Sequence, residues 1–131
     1  MPVRGIRGAI DVARNDREAI LSRTKVLLTA MVRANRIRPD DVAAAFFSLT
    51  PDLDAEFPAI AARRMGWTDV PLMCCSELKI RGGMKKVVRI LLLVNTAVPA
   101  SKIRHQYLGE TPKLRPDLAT PARRKAARRH G

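Results

Sequence analysis

At 131 residues, with 47% hydrophobic and only 4% aromatic residues, the chain suits one domain with a largely aliphatic core and is too apolar to be disordered. Its 25 Lys+Arg against 12 Asp+Glu give a net charge of +13, which calls for anionic partners; yet five basic residues (Arg123, Arg124, Lys125, Arg128, Arg129) crowd the last nine positions, and without residues 121–131 the balance is 20 against 12. The adjacent Cys74 and Cys75 and just two histidines exclude a disulfide framework and a zinc quartet, and the longest apolar run, 87–94, is too short to cross a bilayer, so a soluble cytoplasmic protein with reduced thiols and no metal is expected.

Residues 3–10 (VRGIRGAI) alternate as a strand does, with Val3, Gly5, Arg7 and Ala9 on one face. Gly5 and Gly8 weaken such a strand and mark close approach by a ligand or another chain. Asn15 or Asp16 caps a helix with Glu18 in its first turn; Ile20, Leu27, Leu28, Met31 and Val32 follow at helical spacing to Ala34 or Asn35. Residues 42–49 (VAAAFFSL) read as a buried strand, helix being the competing reading because of three alanines. A short helix is expected at 58–65, a strand at 70–75, a turn at Gly82-Gly83 and the most apolar strand at 86–95. One helical turn near 99–103 and a last strand at 105–108 complete the pattern. The sum is an α+β domain, a mixed or antiparallel sheet packed on one face by one long helix. We place it in residues 1–118, with 119–131 as a basic, flexible tail.

Several residues are chemically expensive where they stand. Arg89 lies in VVRILLLV, whose neighbours demand burial on both faces; a guanidinium there loses hydration unless an anion pairs with it. Either the strand is an edge with Arg89 in water, or Arg89 holds an anionic ligand. Arg7, beside glycines that clear space, is a surface strand arginine or a second such donor. With Arg115 they make a candidate dianion site, because the planar guanidinium fork suits carboxylates. Glu77 is a solvated loop acid or an acceptor for a ligand hydroxyl; Tyr107 is a core residue with its hydroxyl at the surface or a further donor. Cys74 reads as a buried hydrophobe rather than a nucleophile, since nothing local lowers its pKa. This inventory has cations, one carboxylate and one phenol, but no good general base or nucleophile. It fits binding, or a reaction without proton transfer or a covalent intermediate.

Six segments in order, RGIRGA (4–9), TPDLDAEFPAIAAR (50–63), VPLMC (70–74) with Glu77, GGMKKVVRI (82–90), RHQYL (104–108) and LRPDL (114–118), resemble the monofunctional AroH-class chorismate mutases over residues 3–118. The resemblance implies a cofactor-free isomerase that converts chorismate to prephenate. It also implies a homotrimer of ferredoxin-like subunits, forming a pseudo-barrel, with a site at each subunit interface. By motif position, Arg7 resembles the arginine that binds a ligand carboxylate, Arg89 the one that reaches the ether oxygen of the breaking C–O bond, and Glu77 the carboxylate that meets the ring hydroxyl. Cys74, Met73, Tyr107, Leu114 and Arg115 match further substrate-binding positions; Phe57, Ala59 and Arg63 match positions supplied by the adjacent subunit. Ile60 departs from the pattern, standing where many relatives carry a lysine, with Arg64 the available replacement.

Two other classes compete. A trimeric binding protein for the same anionic ligand would use the same arginines without turnover. A nucleic-acid-binding module would exploit the basic tail, but the chain has one Tyr, one Trp and three Phe and no RNA-binding strand pattern.

Overall fold

The computed structural model describes residues 1–115; residues 116–118 and the basic tail, 119–131, lie outside the described residues. The chain forms β1 (Val3–Asp11), α1 (Arg17–Asn35), β2 (Val42–Leu49), α2 (Ala59–Arg64), β3 (Leu72–Ser76), β4 (Val87–Asn95) and β5 (Gln106–Tyr107). Short 3₁₀ turns stand at Pro39–Asp41, Ala100–Lys102 and Thr111–Lys113.

The five strands make one mixed sheet in the order β3-β2-β4-β1-β5. β4 runs antiparallel to both β1 and β2, while β3 is parallel to β2 and β5 parallel to β1. β1 and β2 are therefore parallel with β4 inserted between them, a split β-α-β unit closed by α1. The apolar run of 42–49 is a strand despite its alanines because its alternate side chains, Ala45 and Phe47, are buried against the helices.

Asp16 caps α1, its Oδ2 accepting from Ala19 N at 3.0 Å, and Arg36 in the left-handed region ends it. Ile20, Leu21, Thr24, Leu27, Leu28 and Met31 form its buried stripe, the larger apolar ones contributing about 1.5–3 kcal/mol each. Thr24 is tolerated there because its hydroxyl donates to Ile20 O at 2.7 Å. Gly8 faces this stripe: a Cβ built on it would lie 2.5 Å from Met31 Sδ and 3.0 Å from Leu27 Cδ1. The close approach expected at Gly8 is thus made by α1, not by a ligand, and the glycine lets the helix settle onto β1.

α1 and α2 share one core with Ile6, Ile10, Phe47, Val88, Ile90, Leu92 and Val94. The other sheet face carries the alternate residues Arg7, Phe46, Ser48, Cys75, Arg89 and Leu91, and no helix covers it among the described residues. Two expectations for Arg89 change as a result. β4 is a central strand, not an edge, yet the Arg89 side chain is 41% exposed because one face of the strand is open. The continuous apolar run hides that alternation, since Leu91 (37% exposed) and Leu93 are as apolar as their buried neighbours.

The start of β4 is tied to the end of β2. Thr50 Oγ1 accepts from Val87 N at 3.0 Å and donates to Asp52 Oδ1 at 2.5 Å. Asp52 in turn accepts Lys86 N at 3.0 and 3.2 Å, holding Lys86 at a positive φ of 53°. Burial alone would raise the Asp52 pKa, but the hydrogen bonds from Thr50 and Lys86 N–H, with the Lys86 charge, bring it below the ordinary 3.8. The ionised form is therefore favoured in the folded state, and its contribution, present above the unfolded value, is lost as pH falls through the folded one. Asp52→Asn, which keeps one acceptor oxygen at a partly exposed site, should destabilise the protein by about 0.5–1.5 kcal/mol near neutrality. Urea denaturation at pH 6 and pH 3 should show that difference shrinking in acid; an equal deficit at both would refute the charge-dependent tie.

Candidate active site

The open face dips into a hollow of 370 Å³ bordered by β1, β2, β4 and β5. Arg7, Arg89, Tyr107, Leu114 and Arg115 line it, together with Phe46, Ser48, Cys75 and Leu91. These residues come from chain positions more than a hundred apart, brought side by side by the strand order. Arg7 lies one register step along β1 from the Gly8–Gln106 and Ala9–Tyr107 pairs that dock β5. Tyr107 is buried with Ala9 and Val87 in a small apolar cluster against which Leu114 packs, so one end of the hollow is firm.

Arg89 is oriented by its neighbours across three strands. Ser48 sits opposite it on β2, and Glu77 directly follows β3. Arg89 Nε approaches Glu77 Oε1 at 3.0 Å and donates to Oε2 at 3.1 Å, while Ser48 Oγ donates to the same Oε2 at 3.0 Å. Glu77 is itself fixed by its N–H, which donates to Leu49 O at 2.8 Å. Because Arg89 meets Glu77 through Nε, the amino groups at the end of the guanidinium are left for a ligand. Desolvation is partial at both ends of this pair, so its value here is geometric more than energetic.

Not every expected residue reaches the hollow. Cys74 turns to the helix face, where it packs on the main core beside Phe47, its register partner on β2. There burial pushes its thiol pKa up, against a weaker opposing effect from the Ala59 backbone and Arg63. The exposed Cys75 takes the position on the hollow. Met73 is on the open face next to Phe46 but is 56% exposed and does not line the hollow. Phe57, 67% exposed, Ala59 and Arg63 belong to the α2 region and are also absent from its lining. Arg64, one expected replacement for a lysine at position 60, lies 3.9 Å from Glu18 and does not line the hollow.

Ser48, Phe46 and Cys75 are absent from the expected set. Ser48 could have been found only from its cross-strand register with Arg89, which one sequence does not reveal. Among the described residues no cluster of three His, Cys, Asp or Glu side chains could hold a metal ion, and no helix is long and apolar enough to cross a membrane.

Three guanidinium groups, a phenol and one orienting carboxylate around an open hollow define a small α+β domain built to receive a compact organic anion. The sequence profile of the family "Chorismate mutase type I" matches residues 3–118, and the chain belongs to that family. It is 47% identical over 120 residues to the chorismate mutase AroH of Bacillus subtilis, covering 91% of this chain and 94% of the relative. Identity to the chorismate mutase AroH of Thermus thermophilus is 46% over 117 residues, covering 88% and 96%. A solved chorismate mutase from Clostridium thermocellum superimposes with a TM-score of 0.82 at 41% identity, over 83% of this chain and 97% of that one.

The two thiols give a direct check on the geometry. At pH 7.5 iodoacetamide should alkylate Cys75 several-fold faster, about three-fold or more, than Cys74, whose half-buried thiol resists ionisation. Peptide mass spectrometry would read the order, and faster labelling of Cys74 would contradict its placement on the helix face.

Proposed function

We infer that this protein is a chorismate mutase, converting chorismate to prephenate, on the family membership together with the convergence of Arg7, Arg89, Arg115 and Tyr107 on one hollow. The convergence is the observation that carries the site. The reaction is an intramolecular rearrangement in which one C–O bond breaks as one C–C bond forms, through a chair-like arrangement. No proton moves and no covalent enzyme intermediate is needed, in keeping with a site rich in donors and poor in bases.

In this reading Arg7 grips a carboxylate of the dianion, with Arg115 and Tyr107 as further donors. Leu114 and Phe46 give the hollow apolar walls that favour the compact conformer over the extended one. Arg89 addresses the ether oxygen. Negative charge grows there as the C–O bond breaks, so a fixed guanidinium binds the transition state more strongly than the substrate. Glu77 has two tasks: it holds Arg89 through Nε and accepts from the ring hydroxyl. Ser48 steadies Glu77 for both. Cys74 contributes at most through its backbone, and Cys75 forms part of the wall.

We assign the active unit to a homotrimer with sites between subunits. Support comes from Phe57 and Met73, which are large, apolar and mostly exposed, and from Leu78 and Ile80, 83% and 66% exposed. These are costly in water and unremarkable in an interface. Phe57, Ala59 and Arg63 then complete a neighbour's hollow. The catalytic unit is residues 1–118, the tail being an appendage that aids steering of the anionic substrate. Free thiols at Cys74 and Cys75 suit the reducing cytoplasm.

Purified protein should accelerate the loss of chorismate absorbance, and Arg89→Ala should lower kcat by ~10²–10³ or more with little change in thermal stability. Rates no faster than buffer, or a near-wild-type Arg89→Ala enzyme, would contradict the reading. Sedimentation velocity should return a trimer, and removal of residues 121–131 should leave activity within a few-fold. A monomer with full activity would refute the shared site.

A further inference from the structure

We propose that His105 is a positioning residue for the arginine that grips the substrate carboxylate, an inference that rests on the assignment of that task to Arg7. The observation is a hydrogen bond from Arg7 N to His105 Nδ1 at 2.9 Å, between residues 98 apart in the chain. It occurs where the sheet runs out. The parallel pairing of β1 with β5 covers only Gly8–Gln106 and Ala9–Tyr107, so beyond it β5 offers Arg7 no strand partner. The imidazole nitrogen takes the place of the missing main-chain carbonyl and extends the ladder by one step, at the residue whose side chain lines the hollow.

The segment that carries the imidazole is held at both ends. Upstream, Asn35 at the end of α1 clamps the Arg104 backbone: its Oδ1 accepts from Arg104 N at 2.8 Å, and its Nδ2 donates to Arg104 O at 2.9 Å. Nδ2 also donates to Met31 O at 2.9 Å, which ties the clamp to the helix. Ile103, just before, is buried in the main core. Downstream, Leu108 N donates to Ala9 O at 3.0 Å, and Thr111 Oγ1 donates to the same oxygen at 3.0 Å. Segment 103–108 is thus anchored at each end, and His105 has little freedom to move relative to β1.

β1 needs such a tether at this position. β4 pairs with β1 on the opposite side, Arg7 standing across from Leu91, so the β5 side is where the Arg7 N–H depends on the imidazole as its acceptor. A small change of the Arg7 backbone is amplified along its long side chain at the guanidinium. The tether also couples Arg7 to Tyr107, two positions beyond His105, so two donors of the hollow keep a fixed separation. Only a neutral nitrogen can accept here, which places the ring proton on Nε2.

Replacement by Asn, Gln and Ala separates this role from others. The Asn Oδ1 is attached at Cγ as Nδ1 is and can accept the Arg7 N–H; the Gln acceptor is one bond further out, and Ala has none. His105→Ala and His105→Gln should raise the KM for chorismate about three- to ten-fold with kcat within about two-fold, the worth of one exposed hydrogen bond. His105→Asn should return KM to within about two-fold of wild type. Titration calorimetry with prephenate should show the same order in Kd, and in an Arg7→Ala background His105→Ala should have no further effect on that Kd. Equal losses in Asn, Gln and Ala, wild-type KM in all three, or a full His105 effect without the Arg7 side chain would each overturn the proposal. A wild-type protein that binds prephenate without turning over chorismate would instead refute the assigned activity and leave the tether intact.

Discussion

The site depends on one row of side chains across the sheet, Glu77–Ser48–Arg89. A guanidinium on the open face of a central strand could take many rotamers; here one carboxylate fixes its Nε, one hydroxyl fixes that carboxylate, and a main-chain bond to Leu49 fixes the residue that bears it. The charge is therefore already in place before the ligand arrives. This matters for a reaction that offers the protein nothing to protonate or attack. What can be supplied is a field at the oxygen where charge appears, and a field is useful in proportion to how little it must reorganise.

That row is possible because the sheet is packed on one side only. The helices take Ile6, Gly8, Ile10, Phe47, Val88, Ile90 and Leu92, which leaves Arg7, Ser48 and Arg89 together on the other face by simple alternation. Gly8 contributes from the helix side by letting α1 close on β1. The Thr50–Asp52 tie contributes from the strand ends by fixing where β4 begins relative to β2. A slip of one residue there would send Arg89 into the aliphatic core. The β1–β5 edge, paired over only two residues, is the less constrained side, and the imidazole of His105 reinforces it.

Much of this was legible in the sequence. The helix from Asp16 to Asn35 announces itself by cap and period, and the strands by alternation or apolar runs. The arginines that meet at the hollow stood out because each is costly beside its neighbours. What failed to show was anything set by pairing between strands. Arg89 read as buried on both faces because Leu91 and Leu93 are apolar, although they point to the open side. Gly8 read as clearance for a ligand or another chain because the face that α1 would cover is not written in the local residues. Cys74 and Cys75 differ by one position, hence by one sheet face, and only the register with Phe47 and Ser48 tells them apart. Ser48 looked like an ordinary strand serine; its role exists only through partners 29 and 41 residues away. Phe57, Ala59 and Arg63 entered through family likeness alone, since the chain gives them no place at the hollow.

On the proposed mechanism Arg89 interacts with the transition state more strongly than with a bound ground state. Titration calorimetry would test it by comparing wild type with Arg89→Ala for two ligands: prephenate, and a rigid bicyclic ether dicarboxylate shaped like the transition state. The variant should lose about 100-fold or more in affinity for the bicyclic ether, comparable to the loss of one oxyanion donor, but only a few-fold for prephenate. Equal losses for the two ligands would contradict it, because they would make Arg89 a general anion contact rather than the group that answers the breaking bond.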